Sequence, residues 1–395
     1  MAATGLLLAG CGSSNNTSGT SPTGGAGGSA SAAAGPPITI MTITAAHTTT
    51  VNLVQIWTGA QAAAARINST GGINGSQLTV ITCNDQGTPD GGAACAQQAV
   101  DQKAAAVVGS YSRASGSRII PILEQAGIAD IANQVVTPQD STSKVAFPIN
   151  GSAPALYAGD ALMLIQQGAK HINVVRDDVS SEANLGNYVQ TAVQSKGLSM
   201  SGSPVIIPNG TTDFAPIVAA AQANGTDGIV LLTPRTQATT FLKAAQQSGV
   251  DVKSALRIAA NPNVIDTKTL GAAADGILVD DHFPGEHSGN ATIDQAYTDI
   301  RAQPQDNIAD TTSLNSYFGV MVFAQVAKKL QTVSAATVLA GLSAATSVNV
   351  AGRIIDFTKP NSNPSLARLF SSGVYTFKVQ SGSFAPINQT LLKAL

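Results

Sequence analysis

Ser110, Tyr111, Ser112 and Arg113 stand together between a short apolar run that stops at Gly109 and a new apolar-periodic segment from Ser115 onward. That order reads as buried strand, loop and helix start. In an open parallel sheet such a loop lies at the carboxyl end of the strands, where ligands collect and free helix amides attract carboxylate or phosphate. A second guanidinium, Arg235, follows Pro234 after the apolar run Gly228–Leu232. Two guanidinium groups on strand-end loops, one from each half of the chain, suit a carboxylate or another anion gripped bidentately from both sides. Tyr111 and Trp57 offer faces for an apolar or aromatic ligand body. The competing reading is an ordinary strand–helix connection with serine caps, outward-turned arginines and two core aromatics.

Bond-making chemistry finds less support. Ser112 or Ser115 as a nucleophile lacks the G-x-S-x-G elbow, and His47 has only its place near a strand end to recommend it as a base. The densest set of metal-ligand types is Asp280-Asp281-His282 with Glu286-His287. Pro284-Gly285 makes that stretch a turn, whereas a catalytic zinc site needs rigid spacing such as HExxH on one helix. The expectation is therefore a solvated loop there, no catalytic residue, no metal and no cofactor.

The elements that would carry these residues alternate regularly. A strand at Ile38–Thr44 is followed by a helix from Val51 to Asn68 that ends at Gly71-Gly72, a strand up to Cys83 and a helix from Pro89 to Lys103. The strand at Val107, a helix after Ser115 and a short strand near Ile128–Ile131 complete a first series. A second series runs from the helix Ala158–Gln167 to strands near Ile258 and Ile277. Pro- and Gly-bearing breaks at Ile149–Ala153 and Phe283–Gly285 look like crossings between the two. The stretch from Ile293 to Leu342 is mostly helical, and Arg353–Phe357 and Val374–Val379 then alternate as strands. This is the pattern of an α/β protein with two doubly wound parallel-sheet domains.

Composition narrows the partners. At 395 residues the chain can build two cores, and with 11% charged residues and a formal net charge of −2 it has no broad basic surface for nucleic acid. No run of about 18 apolar residues occurs, so no membrane span is expected. Leu6-Leu7-Leu8-Ala9-Gly10-Cys11 resembles the lipobox of bacterial lipoproteins. It implies a signal segment over residues 1–11, lipidation at Cys11 and anchoring to the outer face of the cell membrane. Residues 12–37 are rich in Ser, Gly, Thr and Ala and read as a disordered tether. In an exported chain the remaining cysteines, Cys83 at a strand end and Cys95 in the next helix, are expected to form a disulfide.

Several patches together resemble the substrate-binding lipoproteins of ATP-driven (ABC) importers, in particular the branched-chain amino-acid, Leu/Ile/Val-binding type of the type I periplasmic binding protein fold. The patches are Arg66-Ile67-Asn68 with Gly71-Gly72-Ile73-Asn74-Gly75, Asn84-Asp85-Gln86-Gly87-Thr88-Pro89, Val107–Ser115, Asp177-Asp178, Thr212-Asp213-Phe214, Phe241-Leu242-Lys243 and Asp275-Gly276. The resemblance implies two lobes joined by three hinge crossings, with residues 38–150 and 285–353 in the first and residues 151–284 and 354–395 in the second. It implies a monomer that captures an amino acid, amide or small carboxylate between the lobes and delivers it to a membrane permease. A receptor of the same fold that senses without transport is the alternative. The family's ligand loops correspond here to Ser110–Arg113, to Gln134, Val135 and Val136, and to Arg235. Val136 replaces an expected hydroxyl, and only Asn261-Pro262-Asn263 stands where an acid would hold an ammonium.

Overall fold

Ile40, Met41 and Ile43 are fully buried in the strand that seeds the first sheet. A computed structural model describes residues 35–48, 52–112, 114–178 and 180–395, except for the side chains of 180–183. Cys11, Arg113 and almost all of the expected tether lie outside the described residues. The first strand, β1 (Gly35–Thr44), starts three residues earlier than its alternation suggested. Then follow α1 (Gln55–Ser69), β2 (Ser76–Asn84), α2 (Pro89–Asp101), β3 (Val107–Val108), α3 (Ile120–Ala126), β4 (Asp130–Ile131) and β5 (Ala146–Phe147). These strands form a parallel sheet in the order β2-β1-β3-β4-β5.

The chain continues through α4 (Ser152–Gln166), β6 (Ile172–Asp177), α5 (Ser180–Ser195), β7 (Val205–Ile207), α6 (Ala215–Ala221), β8 (Gly228–Leu232), α7 (Arg235–Gln247), β9 (Arg257–Ala260), α8 (Thr267–Leu270) and β10 (Leu278–Asp281). It returns to the first lobe as α9 (Ala291–Arg301), α10 (Thr311–Ala327), α11 (Ala335–Ser343) and the hairpin β11 (Val348–Val350) with β12 (Arg353–Ile355). It ends in the second lobe as β13 (Gly373–Gln380), β14 (Ser383–Pro386) and β15 (Leu392–Lys393). The second sheet has the order β7-β6-β8-β9-β10-β13-β14, parallel as far as β10. Beyond it, β13 pairs antiparallel with β10, and β14 with β13. At this edge the hairpin of β13 with β14 extends the parallel sheet with antiparallel strands.

Helix α10 is the hub of the first lobe. Its apolar residues run all round it, and Tyr317, Phe318, Val320, Val322 and Phe323 are buried, as expected of a helix enclosed on every side. Asp310 caps it in a reciprocal box with Ser313. Gly59 of α1 comes so close that a Cβ there would lie 2.1 Å from the Ser313 carbonyl oxygen.

The third crossing departs from expectation. Ile355 and Phe357 belong to the first lobe's core, and the Phe357 ring stands 5.3 Å from Phe147 and 5.0 Å from Phe370. Arg368 stacks over Phe147 at 4.4 Å, donates from Nε to the Ala146 carbonyl at 2.9 Å, and is bound through its backbone N–H to Ser141. Ile355, Phe357 and Phe370 thus pack with the first sheet's core. An irregular segment pinned by aromatic and arginine contacts carries no periodicity that would reveal its lobe.

Cys83, near the end of β2, is bonded to Cys95 of α2, with Cα atoms 5.7 Å apart. Thr88 caps that helix by accepting from the Gly91 N–H at 3.1 Å, and Pro89 sits at its first position.

Candidate functional site

The loop that follows β3 is set by Gly109, whose φ of +69° suits glycine and whose missing side chain admits α10. A Cβ at Gly109 would lie 2.5 Å from Ser316 Cβ. The loop's hydroxyls then turn inward, each onto a carboxylate. Ser110, 3% exposed, donates to Asp130 at 2.7 and 2.8 Å. Ser112 donates to Asp85, and Ser115 donates to Asp140 at 2.5 Å. Ser110 and Ser112, expected to face a ligand, donate their hydroxyl protons to these acids and so also hold the loop. The reason is elementary: a carboxylate buried at a strand end needs donors, and the nearest flexible donors are these hydroxyls.

Asp140 ties two loops together. Its Oδ2 accepts from the N–H groups of Val136 at 3.0 Å and Thr137 at 2.7 Å and from the Thr137 hydroxyl at 3.0 Å, while Oδ1 takes Ser115. Burial holds its pKa above the ordinary carboxylate value even against these bonds. Burial likewise pushes Asp130 up to about 7, with the Ser110 hydrogen bond pulling the other way.

The other expected ligand residues divide. Tyr111 is half-buried and donates through its backbone N–H to the Ile43 carbonyl at 3.1 Å, which places its backbone beside the end of β1. Gln134 is half-buried, and its N–H reaches the Ser110 carbonyl at 2.9 Å. Val135 is 7% exposed and packs on Leu366 and Leu369 of the third crossing, so it fastens the crossing to the loop. Val136 is half-buried, with its N–H on Asp140. Arg235 opens α7 on the second lobe, exposed, and its Nε donates to the Asn263 carbonyl at 2.7 Å within that lobe. Arg113 lies outside the described residues.

Three groups that sequence reasoning passed over or weighed lightly stand at the carboxyl ends of strands with polar atoms unspent. The Trp57 Nε1, the Asn133 Oδ1 and the Asn261 Oδ1 are buried and have no hydrogen-bond partner among the described residues. Trp57 sits in the first turn of α1 with the His47 ring 6.1 Å away at 65°. Asn133 follows β4, and Asn261 follows β9 in the other lobe. Buried polar atoms are almost always satisfied, so these three are the candidates for partners that a bound molecule would supply. For Asp130 the signal was available: an acid inside the apolar run Ile128-Ala129-Asp130-Ile131 has to be partnered by something.

The acidic stretch at the second crossing is not a solvated loop throughout. Asp280 and His282 are 0% and 1% exposed. Asp281 accepts from the Thr311 hydroxyl at 2.5 Å, linking β10 to α10, and burial raises it to about 6. Glu286 is held by Arg301, with one bond at 2.7 Å. Among the described residues no three His, Cys, Asp or Glu side chains gather as metal ligands. None of the described helices is long and apolar enough to cross a membrane.

Over 207 residues the chain is 26% identical to the "Amino acid binding protein" of Pseudomonas aeruginosa, a match covering 50% of this chain and 54% of that protein. Over 280 residues it is 22% identical to "Leu/Ile/Val-binding protein homolog 4" of Brucella abortus, covering 67% of this chain and 66% of the relative. The chain thus spans about half to two thirds of the length of the curated relatives it matches. In fold it resembles the extracellular ligand-binding receptor from Verminephrobacter eiseniae, with a TM-score of 0.72 at 17% identity over 88% of this chain and 99% of that one. The branched-chain amino acid transporter substrate binding protein LivJ from Streptococcus pneumoniae, solved with isoleucine, superposes with a TM-score of 0.71 at 17% identity, covering 90% and 99%. Residues 49–382 match the family described as "Periplasmic binding protein", a span that begins after β1 and ends at the close of β13, and the chain belongs to that family.

Proposed function

We propose that this protein captures a small molecule, an amino acid, amide or small carboxylate, between its two lobes and delivers it to an ABC-type permease. Members of this family bind ligands and do not transform them. One observation supports this reading: buried polar atoms without partners among the described residues belong to Trp57 in the first turn of α1, to Asn133 after β4 and to Asn261 after β9 in the other lobe. A ligand that touches both lobes favours their closed arrangement, because its differential contacts with the two states set the population.

Arg235 and Arg113 serve in this reading as the groups that meet the ligand's carboxylate, with Tyr111 and Trp57 flanking its body. Among the described residues Arg235 donates through Nε to the Asn263 carbonyl, and its charge acts on Asp266, so an anion here would share the guanidinium with that carboxylate. Lipidation of Cys11 holds the protein, as a monomer, on the outer face of the cell membrane, and residues 12–34 serve as the tether.

Trp57 is the chain's one tryptophan, so intrinsic fluorescence reports on the site directly. The expected result is a saturable change in Trp57 emission on titration with a carboxylate-bearing ligand, accompanied by a smaller radius of gyration in solution scattering. A ligand that binds without altering either signal would place the site elsewhere.

A further inference from the structure

Asp160 of α4 and Asp280 of β10 are both 0% exposed, and neither oxygen of either carboxyl has a hydrogen-bond partner among the described residues. Strand alternation shows that they face each other. Leu278, two residues before Asp280, packs in the core formed with Ala161 and Leu164 of α4, so Asp280 points to that same side of the sheet. Directly opposite on antiparallel β13 is Thr376, 1% exposed, whose hydroxyl also has no partner. The helix backbone rests on this spot: a Cβ at Gly159 would lie 2.3 Å from Asp280 Oδ2 and 2.7 Å from Val374 Cγ2. Repulsion between Asp160 and Asp280 adds to burial in disfavouring their ionised forms.

Among the described residues no cation is paired with them. Lys378 lies along β13 opposite Leu278 and is half-exposed, and Arg257 opens β9 at the far end of the sheet. Arg353 donates to the carbonyls of His282 and Ile149. Arg176 of β6 donates to the Asp177 carbonyl. His282, next along the chain, is kept neutral, with its pKa lowered to about 3 by burial. Asp281 adds negative charge, and Tyr157, Tyr188 and Tyr375 on the surrounding elements bring none near neutrality. Two adjacent buried carboxylates cannot both ionise, and one proton held between them turns mutual repulsion into a hydrogen bond.

We propose that Asp160 and Asp280 share a proton and thereby form a pH-sensitive latch that fastens α4 to β10 and β13. Those three elements are the second-lobe roots of the hinge: α4 follows the first crossing, β10 precedes the second and β13 follows the third. Loss of the proton at alkaline pH sets two negative charges side by side beneath α4 and loosens all three roots together. The latch stands on this geometry alone, whichever ligand the lobes hold.

The test uses the full chain, with D160N/D280N beside wild type. Infrared spectra at about pH 7 should contain a protonated-carboxyl band in wild type that the double variant lacks; identical spectra would overturn the proposal. As pH rises above about 4, the ordinary carboxylate value, the folded-to-unfolded ratio of wild type should fall by up to tenfold per pH unit, relative to the variant, for each proton the folded pair retains. Amide hydrogen exchange in α4 and β13 should accelerate in parallel, and equal pH slopes in the two proteins would refute the latch. If the variant does not fold, infrared titration of wild type alone decides, since a protein with no protonated-carboxyl band above about pH 7 holds no such proton. Destabilisation of wild type on replacing sodium by choline at about pH 8 would assign the pair to an alkali cation and likewise overturn the proposal.

Discussion

Replacing Asp140 by Ala should damage ligand binding from beneath the site, because this carboxylate joins the loop after β3 to the loop after β4. It is 0% exposed and accepts from Ser115, Val136 and Thr137 through four bonds. In D140A the N–H groups of half-buried Val136 and Thr137 can rehydrate and cost little. The Ser115 hydroxyl, 3% exposed, cannot, and it loses its acceptor inside a new cavity. An orphaned buried donor costs about 1–3 kcal/mol, and lost bonds to a charged acceptor add roughly another 1–2 kcal/mol. D140A should therefore lose about 2–5 kcal/mol of stability, whereas D140N, which keeps an acceptor and the side chain's shape, should lose about 1 kcal/mol. Urea unfolding of the full chain, followed by far-UV circular dichroism, measures both. Ligand affinity should fall at least tenfold in D140A. A D140A protein within about 0.5 kcal/mol of wild type and with unchanged affinity would refute the claim that Asp140 organises these loops.

Other outcomes are equally specific. Reduction of Cys83–Cys95 opens a loop whose closure is worth about 3 kcal/mol in the chain-entropy model, so the urea midpoint should drop on adding reductant, and an unmoved midpoint would count against it. Asp130 has a folded pKa of about 7 against an ordinary 3.8, so the folded state binds the extra proton. Its stability contribution is full below about pH 4 and is lost as pH rises through about 7; D130N should flatten that decline, and a slope equal to wild type would exclude Asp130 as its source. His282 acts with the opposite sign: with its pKa lowered to about 3, its contribution is present above about pH 6.5 and is lost as pH falls toward 3. Arg113→Ala should weaken binding of a carboxylate ligand by roughly 10- to 100-fold in calorimetric titration, and unchanged affinity would end the anion-clamp reading.

The sequence disclosed what rests on periodicity and much less of what rests on packing. Strand–helix alternation gave both lobes, the strand–helix placement of Cys83 and Cys95 gave the disulfide, and the halt at Gly109 gave the loop. The third crossing stayed hidden because Phe357, Arg368 and Phe370 act through ring and guanidinium stacking that follows no local period. Ser110 and Ser112 were read as ligand groups because a hydroxyl after a glycine at a strand end looks the same whether it faces solvent or a buried acid. What decides between these is the position of Asp85 and Asp130, which adjoin the loop only once β2, β1, β3 and β4 are laid in that order. The acidic stretch at Asp280–His282 was misread as solvated for the same reason, since the helix that covers Asp280 lies more than a hundred residues earlier in the chain.

The central claim is capture of a small molecule between the lobes, and a thermal-shift screen of the protein against amino acids, small amides, and aliphatic and aromatic carboxylates tests it most directly. A ligand present at about 100 times its dissociation constant stabilises the folded state by roughly 2.7 kcal/mol, which such a screen resolves. The account predicts a clear stabilisation by at least one carboxylate-bearing compound, diminished in Arg113→Ala and Arg235→Ala. Silence across the whole panel, or a hit indifferent to both arginines, would contradict it.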